Sequence, residues 1–393
     1  MPKQPRTSTN KGRGSPKNTD VQAEVPWASG FKPPSATVAR NAIGYGKQIP
    51  DEFDPDLVNK DGSRFFQTIP IPCCVDDWLS QYNEEGQTYK QFLSDCPWFS
   101  TRKRKYMSQE FLPSGLTIKE KYPEGKIYIV PVGDFDEDSL VLLDKMLKYT
   151  ELFLGLPVVS LSKIKLEVNS GQVFWMEQPD NTQTSNRRSS NRSKKHQLSS
   201  RYNKETDHLQ VCVDSNLMQL RKVLPRDAIC MIGLTMLDLY GEDSDLFVAG
   251  MAAGNQRVAI FSLYRYDPCL TFSKENWFQI ERDSEATEDE RHRIMLQRGC
   301  KLLVHEICHL LGVDHCIFYD CCMNGSGHLQ EDFRQPMHLC PVDLHKLHTL
   351  VGFSVVERYR ALQVFYSEHG LTEEERWIKQ RITAICESSG EQT

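Results

Sequence analysis

Residues 305–315 read HEICHLLGVDH, and this spacing limits the backbone around it more than any other stretch of the chain. His305 and His309 stand four apart, so their side chains reach a common point only if the backbone between them is helical. Gly312 follows three residues later. Having no Cβ, it takes a left-handed bend at low cost, and that bend can return His315 to the same point. Three neutral imidazoles that converge in this way leave a tetrahedral zinc one open position. Glu306 stands next to the first ligand, where a carboxylate can accept a proton from water without ligating the metal. HExxH alone is a common string. The full HExxHxxGxxH is far more specific, because each added residue has its own geometric duty.

The surrounding pattern predicts a mixed α/β (α+β) fold with a mixed sheet, an active-site helix and a C-terminal helical subdomain. Residues 285–312 form the long helix that carries the first two histidines. Its acidic start suits the positive end of the helix dipole, and Ile294, Leu302, Leu303 and Leu310 supply its buried stripe. Strands are expected at 126–133, 156–161 and 227–235, a helix from Ser139 to Gly155, and a helix over 209–225 that ends before Pro225. Two apolar runs in 245–266 read as adjoining strands; the second, RVAIFSL, is either a sheet edge facing a cleft or an ordinary core strand. WLSQYNEEGQTYKQFL suggests one helix from Trp78 to Leu93. In outline, 1–36 is a tail, 37–125 an N-terminal extension with no evident chemistry, 126–370 the catalytic domain with a basic low-complexity insertion at 177–207, and 371–393 a C-terminal helix and tail.

Composition narrows the function classes. A formal charge of -6 over 393 residues gives no whole-chain attraction to nucleic acid or to an anionic membrane. The insertion, with Arg187, Arg188, Arg192, Lys194, Lys195, Arg201 and Lys204, is a solvated loop or, as the rarer alternative, a nuclear-import or nucleic-acid patch. The thirteen cysteines are an odd number, and Cys308, Cys316, Cys321, Cys322 and Cys340 crowd among histidines, which fits metal binding better than a disulfide framework. With no apolar leader and no long apolar run, the expectation is an intracellular protein, cytoplasmic with nuclear residence as an addition, that meets a peptide substrate and no membrane. Its oligomeric state is not encoded in any feature of the sequence.

HEICHLLGVDHCIFYDCCM, residues 305–323, resembles the archaemetzincin family of metzincin zinc peptidases. The resemblance implies that His305, His309 and His315 ligate a catalytic zinc, that Glu306 is the general base and acid, and that Met323 is the methionine of a turn beneath the metal. Without it, Met323 would read as a gap-filling core side chain. GLTMLDLY at 233–240 and GFSVVERY at 352–359 resemble the family's upper subdomain and C-terminal helix, and the layout with an N-terminal extension is similar to that of animal members. The family also implies a second, structural zinc held by four cysteines. Cys316, Cys321 and Cys340 match the first three, but the fourth position falls on Asp343, an oxygen donor where thiolate is usual. Asp343 completes a weaker site, Cys322, His338 or His345 substitutes for it, or the second site is absent. Cys308 reads as a small buried hydrophobe, or less readily as an oxidation-sensitive thiol. The activity implied is that of a zinc aminopeptidase on short peptides; Asp238, Glu242 and Asp314 are conceivable carboxylates for a substrate amine. The competing class is a zinc-stabilised binding protein with little or no turnover.

Overall fold

Alternation of apolar residues on two faces organises the chain. A computed structural model describes residues 30–99, 115–177, 194–204, 208–270 and 286–390. Eleven strands lie among the described residues: β1 (Lys126–Val132), β2 (Val158–Ser160), β3 (Leu166–Asn169), β4 (Gln172–Met176), β5 (Lys195–Leu198), β6 (Ser200–Asn203), β7 (His208–Cys212), β8 (Ala228–Thr235), β9 (Asp238–Tyr240), β10 (Gly250–Ala253) and β11 (Val258–Ser262). The central sheet has the order β10-β11-β8-β1-β2. Its pairs are parallel except the edge pair β10 and β11.

Successive side chains of a strand point to opposite faces. Ile127, Ile129, Ile232, Leu234, Ala259 and Phe261 therefore join one core, which includes Met146, Leu303 and Ile307. Tyr128, Val130, Met231, Val258 and Ile260 join a second core, with Leu217, Leu220, Trp175 and Leu198. The sheet is thus covered on both faces, as a largely parallel sheet requires. One cover holds the helices Glu137–Leu154 and Glu288–Leu310; the other holds Val213–Val223 and the small sheets β3-β4-β5 and β6-β7-β9.

The helix Glu288–Leu310 begins where the expected acidic start places it. Thr287 and Glu290 form a reciprocal capping box, and Glu288, Asp289 and Glu290 lie in the first turn. Glu137–Leu154 ends on Gly155 in the left-handed region, as the pattern predicts.

Several expectations are corrected. The single helix over Trp78 to Leu93 is two short ones, Trp78–Gln81 and Tyr89–Asp95. Gly86 at φ +71 interrupts the path, and Thr88 starts the second helix with its own capping box. The helix expected over 209–225 begins as strand β7 and becomes helical only at Val213–Val223. Of the two readings of RVAIFSL, the core strand is the one observed: it is β11, interior because β10 covers its outer side. The last part of the basic insertion is ordered as β5 and β6, whereas 178–193 and 205–207 lie outside the described residues.

The C-terminal helices Pro341–Val351, Val355–Glu368 and Thr372–Ser389 complete the first core. Arg381 is fully buried, and its guanidinium donates to the carbonyls of Asp51, Glu52 and Asp54 at 3.0–3.1 Å. Trp377 stacks on His338 at 4.0 Å and meets Phe65, Phe66 and Tyr359 edge-on. The last helix is therefore what the segment from Asp51 to Phe66 packs against. Trp377→Ala is expected to cost about 3 kcal/mol, the lower end for an aromatic truncation because the indole is partly exposed. A urea midpoint unchanged from wild type would contradict this packing.

Candidate active site

His305 and His309 leave the last turns of the long helix together, with ring centroids 4.7 Å apart. Gly312 then turns the chain at φ +93. A Cβ at this position would meet Pro97 Cδ at 3.0 Å and Cys96 Sγ at 3.2 Å, so both conformation and space require glycine. Past the turn, His315 returns to 4.8 Å from the ring of His309 and 5.6 Å from that of His305. The expected triad is assembled, and its ligand atoms lie within 4.8 Å of one another.

The hydrogen bonds on the far sides of the rings decide which atoms face inward. His305 Nδ1 lies 2.7 Å from the carbonyl of Cys322, His309 Nδ1 2.7 Å from the carbonyl of Val313, and His315 Nδ1 2.9 Å from Glu84 Oε1. Carbonyl and carboxylate oxygens only accept, so each Nδ1 carries the proton and each Nε2 keeps a lone pair. The Nε2 atoms of His305 and His309 stand 3.0 Å apart. Two lone pairs at that distance repel, and a shared cation removes the repulsion. Zinc–nitrogen bonds of about 2.0–2.1 Å in tetrahedral geometry set such atoms roughly 3.3 Å apart. The donor set fits zinc.

A second histidine group shows the opposite. His328 Nδ1 accepts from the amide of Glu331 at 3.2 Å, so its Nε2 carries the proton, and it lies 2.9 Å from Asp77 Oδ1. Asp77 also accepts from the amides of Cys73 and Cys74. Asp77, His328 and Glu331 cluster closely enough for a metal, but the ring has no lone pair to give one. They form a hydrogen-bonded post instead.

Burial and the neighbouring imidazoles push His305 well below its ordinary range, and burial with His315 takes His309 down to about 3. Both rings are therefore neutral, as ligation needs. Glu306 is half-buried beside them; burial, then repulsion from Asp332, raises its carboxyl to about 8. A dication next to it opposes that shift.

Glu84 was not among the expected site residues. It lies in the extended segment between the two short helices of the N-terminal extension, and no spacing rule links it to His315. Burial alone would raise its carboxyl, but the hydrogen bond from His315 and the electrostatic influence of its surroundings hold it below the ordinary value.

A family model, Peptidase family M54, matches residues 202–349. Archaemetzincin-2 of Rattus norvegicus is 31% identical over 307 residues, covering 73% of this chain and 71% of its own length. Archaemetzincin-2 of Homo sapiens is 32% identical over 301 residues, with the same coverage of both. This chain belongs to the archaemetzincin family. It is a zinc metallopeptidase by class. The crystal structure of an archaemetzincin from Methanopyrus kandleri is also similar, at 21% identity and a TM-score of 0.36, covering 60% of this chain and 97% of that one.

The remaining residues expected from the archaemetzincin pattern fall close to the triad. Met323 is fully buried, and its carbonyl accepts from the amide of Cys316 at 2.8 Å. The preceding carbonyl, of Cys322, is the one that orients His305. Cys316, Cys321, Cys340 and Asp343 form a second group of donors within 4.8 Å of one another, all buried. Asp343 Oδ2 lies 3.3 Å from the sulfurs of both Cys321 and Cys340, and its Oδ1 pairs with the buried Lys346 at 2.8 Å. The alternative donors are engaged elsewhere. His345 is stacked between Tyr45 and Tyr89, His338 lies on Trp377, and the sulfur of Cys322 is outside the group. Cys308 is fully buried, and burial raises its thiol well above the usual value, which suits a small hydrophobe.

The three carboxylates considered for a substrate amine fare differently. Asp238 is buried and its oxygens are taken by Arg265, Gln210 and His208 at 2.6–2.8 Å, so it is structural. Glu242 is exposed in the turn after β9. Asp314 accepts from the amide nitrogen of the Gln87 side chain at 3.0 Å.

The depressed imidazoles have a sign that can be checked. The folded value of His309, about 3, lies below the 6.5 of an ordinary ring, so its contribution to stability is full above about 6.5 and is lost as pH falls toward 3. Glu306, raised from 4.5 to about 8, acts in the opposite direction between those values. Comparison with His309→Gln separates the two. The urea midpoint of metal-free wild type is expected to fall between about pH 6.5 and pH 5 more steeply than that of the variant. Equal slopes would contradict a buried, neutral His309.

Proposed function

We propose that this archaemetzincin is a zinc aminopeptidase acting on short peptides, with Glu306 as general base. The convergence of three Nε2 lone pairs beside the Glu306 carboxylate carries the reading. Zinc bound there supplies a Lewis acid that polarises the scissile carbonyl and makes water acidic enough to attack near neutral pH. His305, His309 and His315 would hold the zinc through their Nε2 atoms. Glu306 takes the proton of the attacking water on its carboxylate and returns it to the departing amine. The preference for free amino termini rests on the family resemblance.

The cluster of Cys316, Cys321, Cys340 and Asp343 supports a second, structural zinc. Lys346 offsets part of the negative charge that three thiolates and a carboxylate would gather there. A peptide is the expected partner, and a formal charge of -6 gives the whole chain no attraction to nucleic acid. Cytoplasmic residence accords with thirteen cysteines that all stand as free thiols, and no helix among the described residues is long and apolar enough to cross a membrane.

Glu306→Gln should keep its zinc and lose about two to four powers of ten in peptide turnover. Undiminished turnover would end the assigned mechanism, and a variant without effect in a protein that never cleaves peptides would favour the binding-protein class. In a peptide-library digest, products should shorten from the amino end and N-acetylated peptides should survive; internal cuts would reject the aminopeptidase assignment. Metal analysis should give two zinc ions per chain in wild type and one in Cys321→Ser. A single zinc in active wild type would remove the second site.

A further inference from the structure

We propose that Glu84 is a positioning residue for the zinc ligand His315, so that the segment from Trp78 to Gln87 is a working part of the metal centre. This rests on the zinc reading of the three histidines. Glu84 lies outside the residues matched by the family model, 202–349.

The three ligands are not held alike. His305 and His309 stand on a helix, and their Nδ1 atoms meet backbone carbonyls of the same domain. His315 comes after the helix has ended, in a stretch without regular structure. Its ring direction has to be set by something else, and its Nδ1 meets the Glu84 carboxylate at 2.9 Å. An ionised acceptor gives a shorter and stronger bond than a carbonyl and makes the imidazole a better donor to a metal.

The pair is not a loose surface ion pair. The two side chains are 21% and 23% exposed, and Glu84 Oε2 is buried. The edge of the Trp78 indole meets the His315 ring at 5.0 Å. Trp78 is itself fixed, since its amide donates to Glu331 Oε2 at 2.8 Å.

On the other side, the Gln87 side chain grips the turn that carries His315. It donates to the carbonyl of Gly312 at 3.1 Å and to Asp314 Oδ2 at 3.0 Å, and accepts from the amide of Asp314 at 3.3 Å. Gly86 lies so close to the residues beyond His315 that a Cβ would stand 2.6 Å from Ile317 Cγ1. The segment is thus matched to residues 312–318 over its length, and the carboxylate has one place to be.

The test is zinc affinity by chelator competition, together with the absorption spectrum of the cobalt(II)-substituted protein and the melting temperature of the metal-free form. Glu84→Ala is expected to bind zinc 10–100-fold more weakly, as other losses of a carboxylate behind a ligating histidine do. Glu84→Gln, which keeps a neutral acceptor, should fall between that variant and wild type. Both should shift the cobalt bands while melting like wild type without metal, and the exposed neighbour Glu85→Gln should change none of the three. Wild-type affinity and spectrum in Glu84→Ala would overturn the proposal. So would a loss of affinity matched by an equal loss of metal-free stability, which marks a folding role alone. A wild type that binds no zinc at His305, His309 and His315 would overturn the zinc reading as well, which separates the two failures.

Discussion

A neutral imidazole has one proton and one lone pair, and what stands at one nitrogen decides what the other can do. In this chain, acceptors stand behind all three rings of the triad, so three lone pairs are turned toward one another. In isolation that is an unfavourable arrangement, and the fold imposes it from several directions at once. The helix Glu288–Leu310 aligns two rings, the bend at Gly312 supplies the carbonyl of Val313, the turn before Met323 supplies that of Cys322, and the N-terminal extension supplies a carboxylate. A site built against its own repulsion is preorganised for a cation, and much of the surrounding structure makes sense as the scaffold for it.

The loop from Cys316 to Asn324 serves both donor clusters. Its first residue belongs to the cysteine group and is covalently next to His315; its Cys322 carbonyl holds His305. Asn324 closes the loop, donating to the carbonyls of Cys316 and Tyr319 and accepting from the amide of Cys321. A disturbance at the cysteine cluster therefore reaches His315 through the backbone and His305 through the hydrogen bond to the Cys322 carbonyl. Asp343 gives one oxygen to the cysteines and the other to Lys346, which lets a carboxylate stand in a fully buried place where thiolate is usual.

What the sequence showed was what depends on local geometry. The i, i+4 pair, the glycine bend, the acidic start of the long helix and the strands β1 and β8 follow from residues close together in the chain, and the structure has them. The errors lie where distant contacts override local pattern. Apolar spacing over 209–225 suits a helix throughout, yet its first residues pair with β6 and β9 and become a strand. The basic insertion looked solvated, but Leu198 is buried in the second core and Arg201 is held by backbone carbonyls of Glu242 and Asp243. The identity of the fourth donor in the cysteine cluster was open because His338 and His345 are close in sequence; only aromatic stacking shows that both are occupied elsewhere. Glu84 had no signal at all, since a carboxylate that meets a histidine across such a separation leaves no periodicity behind.

That separation, 231 residues between Glu84 and His315, bears on how the protein matures. During synthesis the extension emerges from the ribosome long before the strands and helices that give it a seat, and Arg381, which anchors residues 51–54, comes later still. His315 would thus meet its carboxylate only after the later segments that seat residues 78–87 have been made. The contact that squares up His315 is therefore among the latest that vectorial synthesis allows, and zinc affinity should track the docking of the early segment.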